Sequence, residues 1–168
     1  MNMQASDVKT LYFKEDGPIP NNSSLPVLLY KKALEGKLDR CEEIFNSNNW
    51  TNSWTNGVFD YHHYHSNTHE VLGVISGGAT IKLGGENGNE VKVAEGDVVV
   101  LPAGTGHKRI DASSNFKVVG AYPDGIQHNL KTGENSVRFE DMEDIEQVPI
   151  PEEDPIYGKE GPLTSLWK

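Results

Sequence analysis

The chain has one cysteine among 168 residues, Cys41, so no intrachain disulfide can form. Long apolar runs are also missing: the run Val98–Leu101 is far shorter than the roughly 20 residues that a membrane-spanning helix needs. Residues 1–7 contain neither a basic segment nor an apolar one, so we expect no secretory signal. These absences favour a cytoplasmic protein in which Cys41 is a buried, unreactive thiol on a helix.

Basic side chains are scarce. Fifteen lysines and arginines face 25 aspartates and glutamates, which gives a formal net charge of −10. This balance argues against electrostatic binding to nucleic acid or to an anionic membrane. Residues 131–168 concentrate the excess, with ten acidic and four basic side chains. We interpret that segment as a solvated outer layer that aids solubility, and an acidic docking surface is the alternative.

The length fits a single domain, 1–168, in which three stretches differ in composition. Residues 1–56 form an N-terminal strand and helix region. There, Asp39 and Glu42 are spaced as an N-cap and its capping-box partner at the start of a short helix. Residues 57–122 form the core, and residues 123–168 form an acidic, proline-containing extension. Its apolar residues predict packing on the core or on a neighbouring subunit.

The core alternates short β-rich runs with glycine-containing turns, as β-sandwiches and barrels do. The predicted strands are 58–65, 70–76, 79–83, 90–93, 97–102, 107–110 and 115–122.

Three further segments carry local predictions. Residues 46–49 and 51–53 are rich in asparagine and predict a loop. Residues 84–89 predict a hairpin loop in which Asn87 and Gly88 suit a positive φ. In the extension, apolar residues at about three-residue spacing predict one short amphipathic helix, and four prolines predict an extended path after it; these apolar residues are Phe139, Met142, Ile145 and Val148.

Two histidines separated by one residue are the first part of a candidate metal site. Side chains alternate along a strand, so His63 and His65 share one face of the predicted strand 58–65. A turn at 66–68 lets the chain double back, which returns Glu70 to the same place.

His107 completes the candidate ligand set, because it follows the bend at 102–106 that ends a strand predicted to be buried on both faces. Three imidazoles and one carboxylate suit one divalent first-row ion: Fe, Mn, Ni or Zn. A six-coordinate ion held by four side chains keeps two adjacent positions for water, dioxygen or a chelating substrate. Such an open site is typical of reactive metals rather than of structural ones.

For other residues near these ligands, the sequence is compatible with more than one role. His62 and His69 fall on the opposite alternation, which predicts surface or supporting roles. Tyr61 shares the ligand face and either lines the pocket or packs in the core. Arg109 either binds a substrate carboxylate or phosphate, or pairs with a neighbouring acid such as Asp111. His128 either caps the pocket or lies on a loop away from it.

The spacing of glycines, proline and ligands resembles the two sequence motifs of the cupin superfamily. The first motif is matched by Gly57, His63, His65, Glu70 and Gly77, and the second by Gly96, Pro102, Gly104 and His107. Asp111 departs from the family pattern, which has asparagine there. The flanking segments resemble those of small bacterial single-cupin proteins of unsettled function.

This resemblance implies an all-β fold, the cupin-type jelly-roll β-barrel or double-stranded β-helix, with a short N-terminal helix and the C-terminal extension packed on it. It also implies one metal per barrel and a homodimer. It does not identify a substrate, because cupins include dioxygenases, isomerases, decarboxylases, sugar-binding sensors and storage proteins.

Two functions follow as hypotheses. The first is an iron-dependent oxygenase that acts on a small enolic, catecholic or carboxylate metabolite. The alternative is a non-catalytic module that binds a small molecule or sugar, with a redox-silent isomerase between the two.

Overall fold

The computed structural model describes residues 3–134 and 138–168. This part of the chain contains β1 (Lys9–Leu11), β2 (Val27–Tyr30), β3 (Trp50–Asn56), β4 (Glu70–Ser76), β5 (Gly78–Leu83), β6 (Asn89–Ala94), β7 (Val98–Leu101), β8 (His107–Ala112) and β9 (Lys117–Pro123). Its α-helices are α1 (Cys41–Ser47), α2 (Arg138–Gln147) and α3 (Pro162–Leu166). None of the helices in the described ranges is long and apolar enough to cross a membrane.

The strands form two antiparallel sheets. The larger sheet has the order β1-β2-β7-β4-β9-β3, and the smaller has the order β6-β5-β8. Apolar side chains from both sheets pack into one cluster between them, which includes Leu72, Val74, Ile81, Leu83, Val99 and Leu101. Two antiparallel sheets around a shared core are the arrangement of a jelly-roll barrel, so the predicted all-β class is confirmed.

The larger sheet is covered on both faces. In β7, Val99 and Leu101 face the smaller sheet, whereas Val98 and Val100 join a second apolar cluster on the outer face. That outer cluster contains side chains from α1 and from the C-terminal extension: Cys41, Phe45, Leu163 and Trp167. The prediction of a strand buried on both faces is therefore confirmed. Cys41 is 1% exposed and burial raises the pKa of its thiol to about 12, which fits an unreactive cysteine.

The C-terminal extension packs on the barrel of its own chain, and one carboxylate fixes it there. Asp154 is fully buried and accepts a hydrogen bond of 2.5 Å from the Tyr30 hydroxyl of β2. The same carboxylate accepts the backbone N–H groups of Ile156, Tyr157 and Leu163. The extension is thus more than the solvated layer predicted from its charge, because some of its acidic groups lie in the interior.

The N-terminal edge of the barrel differs from the sequence prediction. Residues 50–56, of which 51–53 are predicted as loop, form β3, which pairs with β9 at the edge of the larger sheet. The predicted strand 58–65 is not formed; His63 and Tyr64 make only isolated bridges, to His107 and Lys131. Asparagines in β3 suggested a loop, but an edge strand tolerates them because one side of its backbone stays exposed.

Smaller differences concern caps and turns. Helix α1 begins after a 3₁₀ turn, Leu38–Arg40, and no side chain caps it, so the Asp39 capping box is wrong. In the 84–89 hairpin loop the positive φ values belong to Gly84 and Gly85 rather than to Asn87 and Gly88.

The predicted amphipathic helix is present as α2, but the four apolar residues that predicted it differ in burial. Ile145 is buried, whereas Phe139 is 80% exposed. The extended path predicted after it is interrupted by α3, which begins with Pro162, a residue favoured in the first turn because it has no N–H to leave unpaired.

Replacing the buried carboxylate tests this anchoring. Asp154→Ala removes the acceptor of four hydrogen bonds and should lower the free energy of unfolding by about 3 kcal/mol or more, measured by urea denaturation. The exposed neighbour Glu152 is the control, and Glu152→Ala should change stability by less than about 0.5 kcal/mol. Equal stability of the two variants would contradict the assigned role.

Candidate metal centre

Three of the four predicted ligands converge in the barrel. Glu70 is the first residue of β4, His107 is the first residue of β8, and His65 lies in the segment between β3 and β4. Their ligand atoms all lie within 4.8 Å of one another. One oxygen of Glu70, Oε1, is 3.3 Å from His65 Nε2 and 3.4 Å from His107 Nε2. All three side chains are buried, as expected of a site that binds a metal inside the fold.

The fourth predicted ligand, His63, lies directly beside this group. Its ring centroid is 4.0 Å from that of His107 and 6.1 Å from that of His65. The backbones of His63 and His107 also exchange two hydrogen bonds, of 3.2 and 3.0 Å. His63 is not part of the set of atoms within 4.8 Å, so its role as a ligand stays a prediction.

The hydrogen bonds of the histidines fit metal binding. Nδ1 of His63, His65 and His107 each bonds to a backbone carbonyl, those of Tyr61, Asn129 and Thr105 respectively. A carbonyl can only accept, so each Nδ1 carries the proton and each Nε2 keeps its lone pair. Metal-binding histidines are oriented in the same way, by a donor bond from the other ring nitrogen. The donor set therefore fits a divalent ion.

The charges of these groups fit a cation as well. Burial by itself disfavours the ionised form of Glu70, but His65 and His107 hold the pKa of this carboxyl well below its usual range. Burial, reinforced by His107, lowers the pKa of His63 to about 3, so His63 is neutral at pH 7. For His65, burial opposes the charged form, yet the adjacent Glu70 raises the pKa. A buried, ionised carboxylate among imidazoles is a site for positive charge.

A loop that follows β9 holds the segment of His65 in place. The backbone carbonyl of Asn129 accepts the Nδ1 proton of His65, and its side chain bonds to Ser66 twice: Oδ1 accepts Ser66 N–H at 2.9 Å and Nδ2 donates to Ser66 Oγ at 2.8 Å. Next to it, Tyr64 and Lys131 exchange two backbone bonds of 2.9 Å. The C-terminal extension thus orients a predicted metal ligand.

Gly104 holds the other side of His65. Its N–H donates to the His65 carbonyl at 2.7 Å, from the bend that precedes His107. Its φ is +88°, and a Cβ there would come within 2.5 Å of Ile145 Cδ1 and 2.7 Å of the Asn21 carbonyl oxygen. Only glycine fits this backbone and this approach, which explains its place in the motif.

His69 is a buried structural residue, although the alternation of side chains along the strand predicted either a surface or a supporting role. It is fully buried; its Nδ1 accepts the Ala103 N–H at 2.9 Å, its Nε2 bonds to the Pro149 carbonyl at 3.1 Å, and its ring lies 4.7 Å from that of Trp167. Burial lowers its pKa to about 4, so it is neutral. The predicted surface position is wrong, because the C-terminal extension covers the outer face of β4. The supporting role fits, since His69 links the strand of Glu70 to the bend before His107.

The remaining candidates occupy three different environments. His62 bonds to Glu86 at 2.8 Å, away from the ligand group. Tyr61 is 40% exposed and stacks on Phe59, so it is not a core residue. His128 stacks on Tyr122, with ring centroids 4.4 Å apart, and lies 5.0 Å from the ring of His65.

Arg109 pairs with acidic and carbonyl oxygens of the chain. It donates to the Val58 carbonyl at 3.3 Å and lies 3.9 Å from a carboxylate oxygen of Asp60. The prediction of a neighbouring acid as its partner is closer to the structure, although the acid is Asp60 rather than Asp111.

A cavity of about 450 Å³ opens onto the ligand group. His65, Glu70 and His107 lie among its lining residues together with His128, whereas Tyr61 and Arg109 do not. Sequence reasoning missed most of the wall, which is supplied by β3, the segment after it, β4, β9 and the loop after β9: Trp54, Val58, Phe59, Leu72, Tyr122 and Leu130. Trp54, a large aromatic residue directly after a predicted loop, was the one signal available.

Comparison with known proteins gives a consistent result. Residues 54–118 match the family model described as "Cupin domain". Over 161 residues, which are 96% of this chain and 97% of the other, the chain is 45% identical to the uncharacterized protein YjlB of Bacillus subtilis.

Similar solved structures include a DUF861 family protein of Thermotoga maritima, with 20% identity over 56% of this chain and 96% of that chain, and a TM-score of 0.39. Another is an acireductone dioxygenase of Bacillus anthracis with a cadmium ion in its active centre, with 15% identity over 56% of this chain and 63% of that chain, and the same TM-score of 0.39. These TM-scores are too low to carry an argument about function.

The contribution of the loop to the ligand group can be tested by mutation. Asn129→Ala keeps the carbonyl that bonds His65 but removes both bonds to Ser66, and should weaken metal binding about 10-fold in competition with a chelator. Asn129→Asp keeps the acceptor for the Ser66 N–H, so its metal affinity should lie between that of the wild type and that of Asn129→Ala. Gln127→Ala is the control, because Gln127 contributes its backbone carbonyl to Asn67. If Asn129→Ala bound the metal as tightly as the wild type, the bonds of Asn129 to Ser66 would not support the ligand group.

Proposed function

The chain belongs to the cupin family, and from this premise we propose that it is an iron-dependent oxygenase that acts on a small chelating metabolite. One divalent ion would be held by His63, His65, Glu70 and His107. The observation that carries the proposal is the buried Glu70 carboxylate between two imidazole Nε2 atoms, at the inner end of a cavity open to a ligand.

The ligand set leaves room for chemistry. Four protein groups would leave two positions of a six-coordinate ion free, and three of those groups, His65, Glu70 and His107, line the cavity. One carboxylate against a divalent ion leaves one positive charge, which attracts an anionic oxygen of a substrate. Iron(II) bound there would supply the redox chemistry through which dioxygen reacts with a chelating substrate.

Side chains around the ligands would shield a bound substrate from water and hold Glu70 in place. Trp54, Phe59 and Leu72 line the cavity with apolar surface, which limits water around a bound substrate. The Tyr122 hydroxyl accepts a hydrogen bond of 2.8 Å from Trp54 and interacts with Glu70, so it helps to hold the carboxylate in place.

A non-catalytic binding protein is the second candidate. Apart from the three converging ligands, the titratable side chains that line the cavity within the described residues are Tyr122 and His128. An enzyme that moves protons without a redox step usually has a further acid or base placed in its pocket, so this scarcity favours either metal-based oxidation or simple binding over isomerisation. The homodimer and the cytoplasmic location stay predictions.

The metal ligands are tested by comparing two neighbouring histidines. His65→Ala removes a ligand and should lower the bound metal of purified protein at least about 10-fold, measured by elemental analysis. His62→Ala should leave occupancy unchanged, because His62 bonds to Glu86 instead. The same analysis of protein from its native cells identifies the physiological ion. Equal occupancy in both variants would show that the ligand set is wrong.

The oxygenase reaction is tested on protein reconstituted with iron(II) without air. On exposure to oxygen, we expect uptake with at least one enolic, catecholic or carboxylate compound in a screening panel, in the wild type and in His62→Ala, but not in His65→Ala. Uptake by the wild type that never exceeds that of His65→Ala would rule out the oxygenase within the panel. A compound that binds to the metal-loaded protein and is recovered unchanged after long incubation would support the second candidate.

A further inference from the structure

The charges around the cavity restrict what it can bind. Among the described residues that line it there is no lysine or arginine, and Glu70 is the only acidic side chain. Two basic side chains that contact or adjoin lining residues are paired within the chain: Arg109 with the carbonyl of Val58 and with Asp60, and Lys131, next to Leu130, with Asp141 at 3.3 Å. Once a divalent ion is bound, the ion is therefore the single source of positive charge for a ligand.

The walls of the cavity are largely apolar, and two of the apolar side chains in them are exposed to solvent. Phe59 is 51% and Leu130 is 47% exposed, and both line the cavity. Trp54 also lines it, and the stacked rings of Tyr122 and His128 form a further aromatic wall. Exposed apolar side chains that face a cavity are typical of a surface that a ligand covers.

The polar side chains that line the cavity include no lysine or arginine, and two of its amides bond within the chain. Asn52 Nδ2 bonds to the Ile126 carbonyl, and Asn56 Oδ1 accepts the Gly57 N–H. A second carboxylate or a phosphate would lie near Glu70 with no basic partner, and burying an unpaired charge is strongly unfavourable.

We propose that the ligand of this site has an apolar, aromatic-sized body and one chelating head with at most one negative charge, and that phosphorylated and polycarboxylated ligands are excluded. The head binds the metal and the body lies between Leu130, Phe59 and Trp54. The role of the head rests on the proposed metal site, whereas the selection of the body depends on the cavity walls alone.

Three hydroxamates with one common head separate these two parts. The protein is loaded with zinc, which is redox-silent, and is titrated by calorimetry with acetohydroxamate, benzohydroxamate and 4-carboxybenzohydroxamate. Burial of the phenyl ring should make benzohydroxamate bind about 10-fold more tightly than acetohydroxamate. The added carboxylate should weaken binding about 10-fold relative to benzohydroxamate.

Two variants in one loop provide a matched control. Leu130 and Ile126 are similarly exposed, at 47% and 41%, but only Leu130 lines this cavity, since Ile126 lines another. Leu130→Ala should weaken benzohydroxamate about fivefold and leave acetohydroxamate unchanged. Ile126→Ala should change neither affinity.

Each other result has a definite meaning. Equal binding of the three compounds, or tighter binding of the carboxylated one, would overturn the ligand class while leaving the metal site intact. Loss of the carboxylated compound's affinity in Arg109→Ala would also overturn it, because Arg109 would then be the missing basic partner. Failure of zinc-loaded protein to bind any of the three would overturn both this inference and the open coordination on which the proposed function depends.

Discussion

The burial of one carboxylate governs the organisation of this protein. Glu70 is 2% exposed and lies between the Nε2 atoms of His65 and His107. An ionised carboxylate in a protein interior is unfavourable unless positive charge or hydrogen bonds compensate for it. The adjacent imidazoles supply part of that compensation, since His65 and His107 lower the pKa of Glu70. A divalent cation bound by neutral imidazoles and the carboxylate would compensate for the charge as well, so the arrangement is suited to a metal ion.

Much of the chain serves to keep these donors in place. Asn129 orients His65 from the loop after β9, and Gly104 bonds its carbonyl from the bend before His107. Farther along, the Tyr64 hydroxyl donates to the buried Asp141 of α2 at 2.6 Å. The C-terminal extension, including its acidic residues, is in this way part of the site's support. Its negative charge is not only a surface property, because selected carboxylates are used as internal acceptors.

Family and cavity contribute different parts of the functional argument. Membership of the cupin family agrees with the group of His65, Glu70 and His107 in the barrel but leaves open what is bound, because the same fold has many functions. The composition of the cavity narrows the class of ligand, since its walls are largely apolar and its described lining residues include no lysine or arginine. The 45% identity to YjlB of Bacillus subtilis extends over nearly the whole of both chains, so the residues after the barrel belong to the shared protein and not to an appendage.

Local patterns in the sequence were sufficient for the strands β4 to β9 and for the candidate ligands. Alternating apolar residues, glycine turns and the spacing of His65, Glu70 and His107 act over short stretches, and the structure brings those three side chains together. The environment of His63 was predicted less well, because it depends on a bridge to His107 rather than on a continuous strand.

The tertiary structure alone decided which surfaces are covered. Part of β3, residues 51–53, was predicted as loop because asparagine disfavours a strand, and only pairing with β9, more than sixty residues later, makes the segment a strand. His69, Asp141 and Asp154 are polar residues whose burial depends on where the C-terminal extension packs. The cavity wall joins Trp54 to Leu130 across the same distance in sequence. Sequence by itself determined the donors and the barrel strands, since these follow from neighbouring residues, whereas the walls and the supports depend on contacts between distant segments that no local pattern encodes.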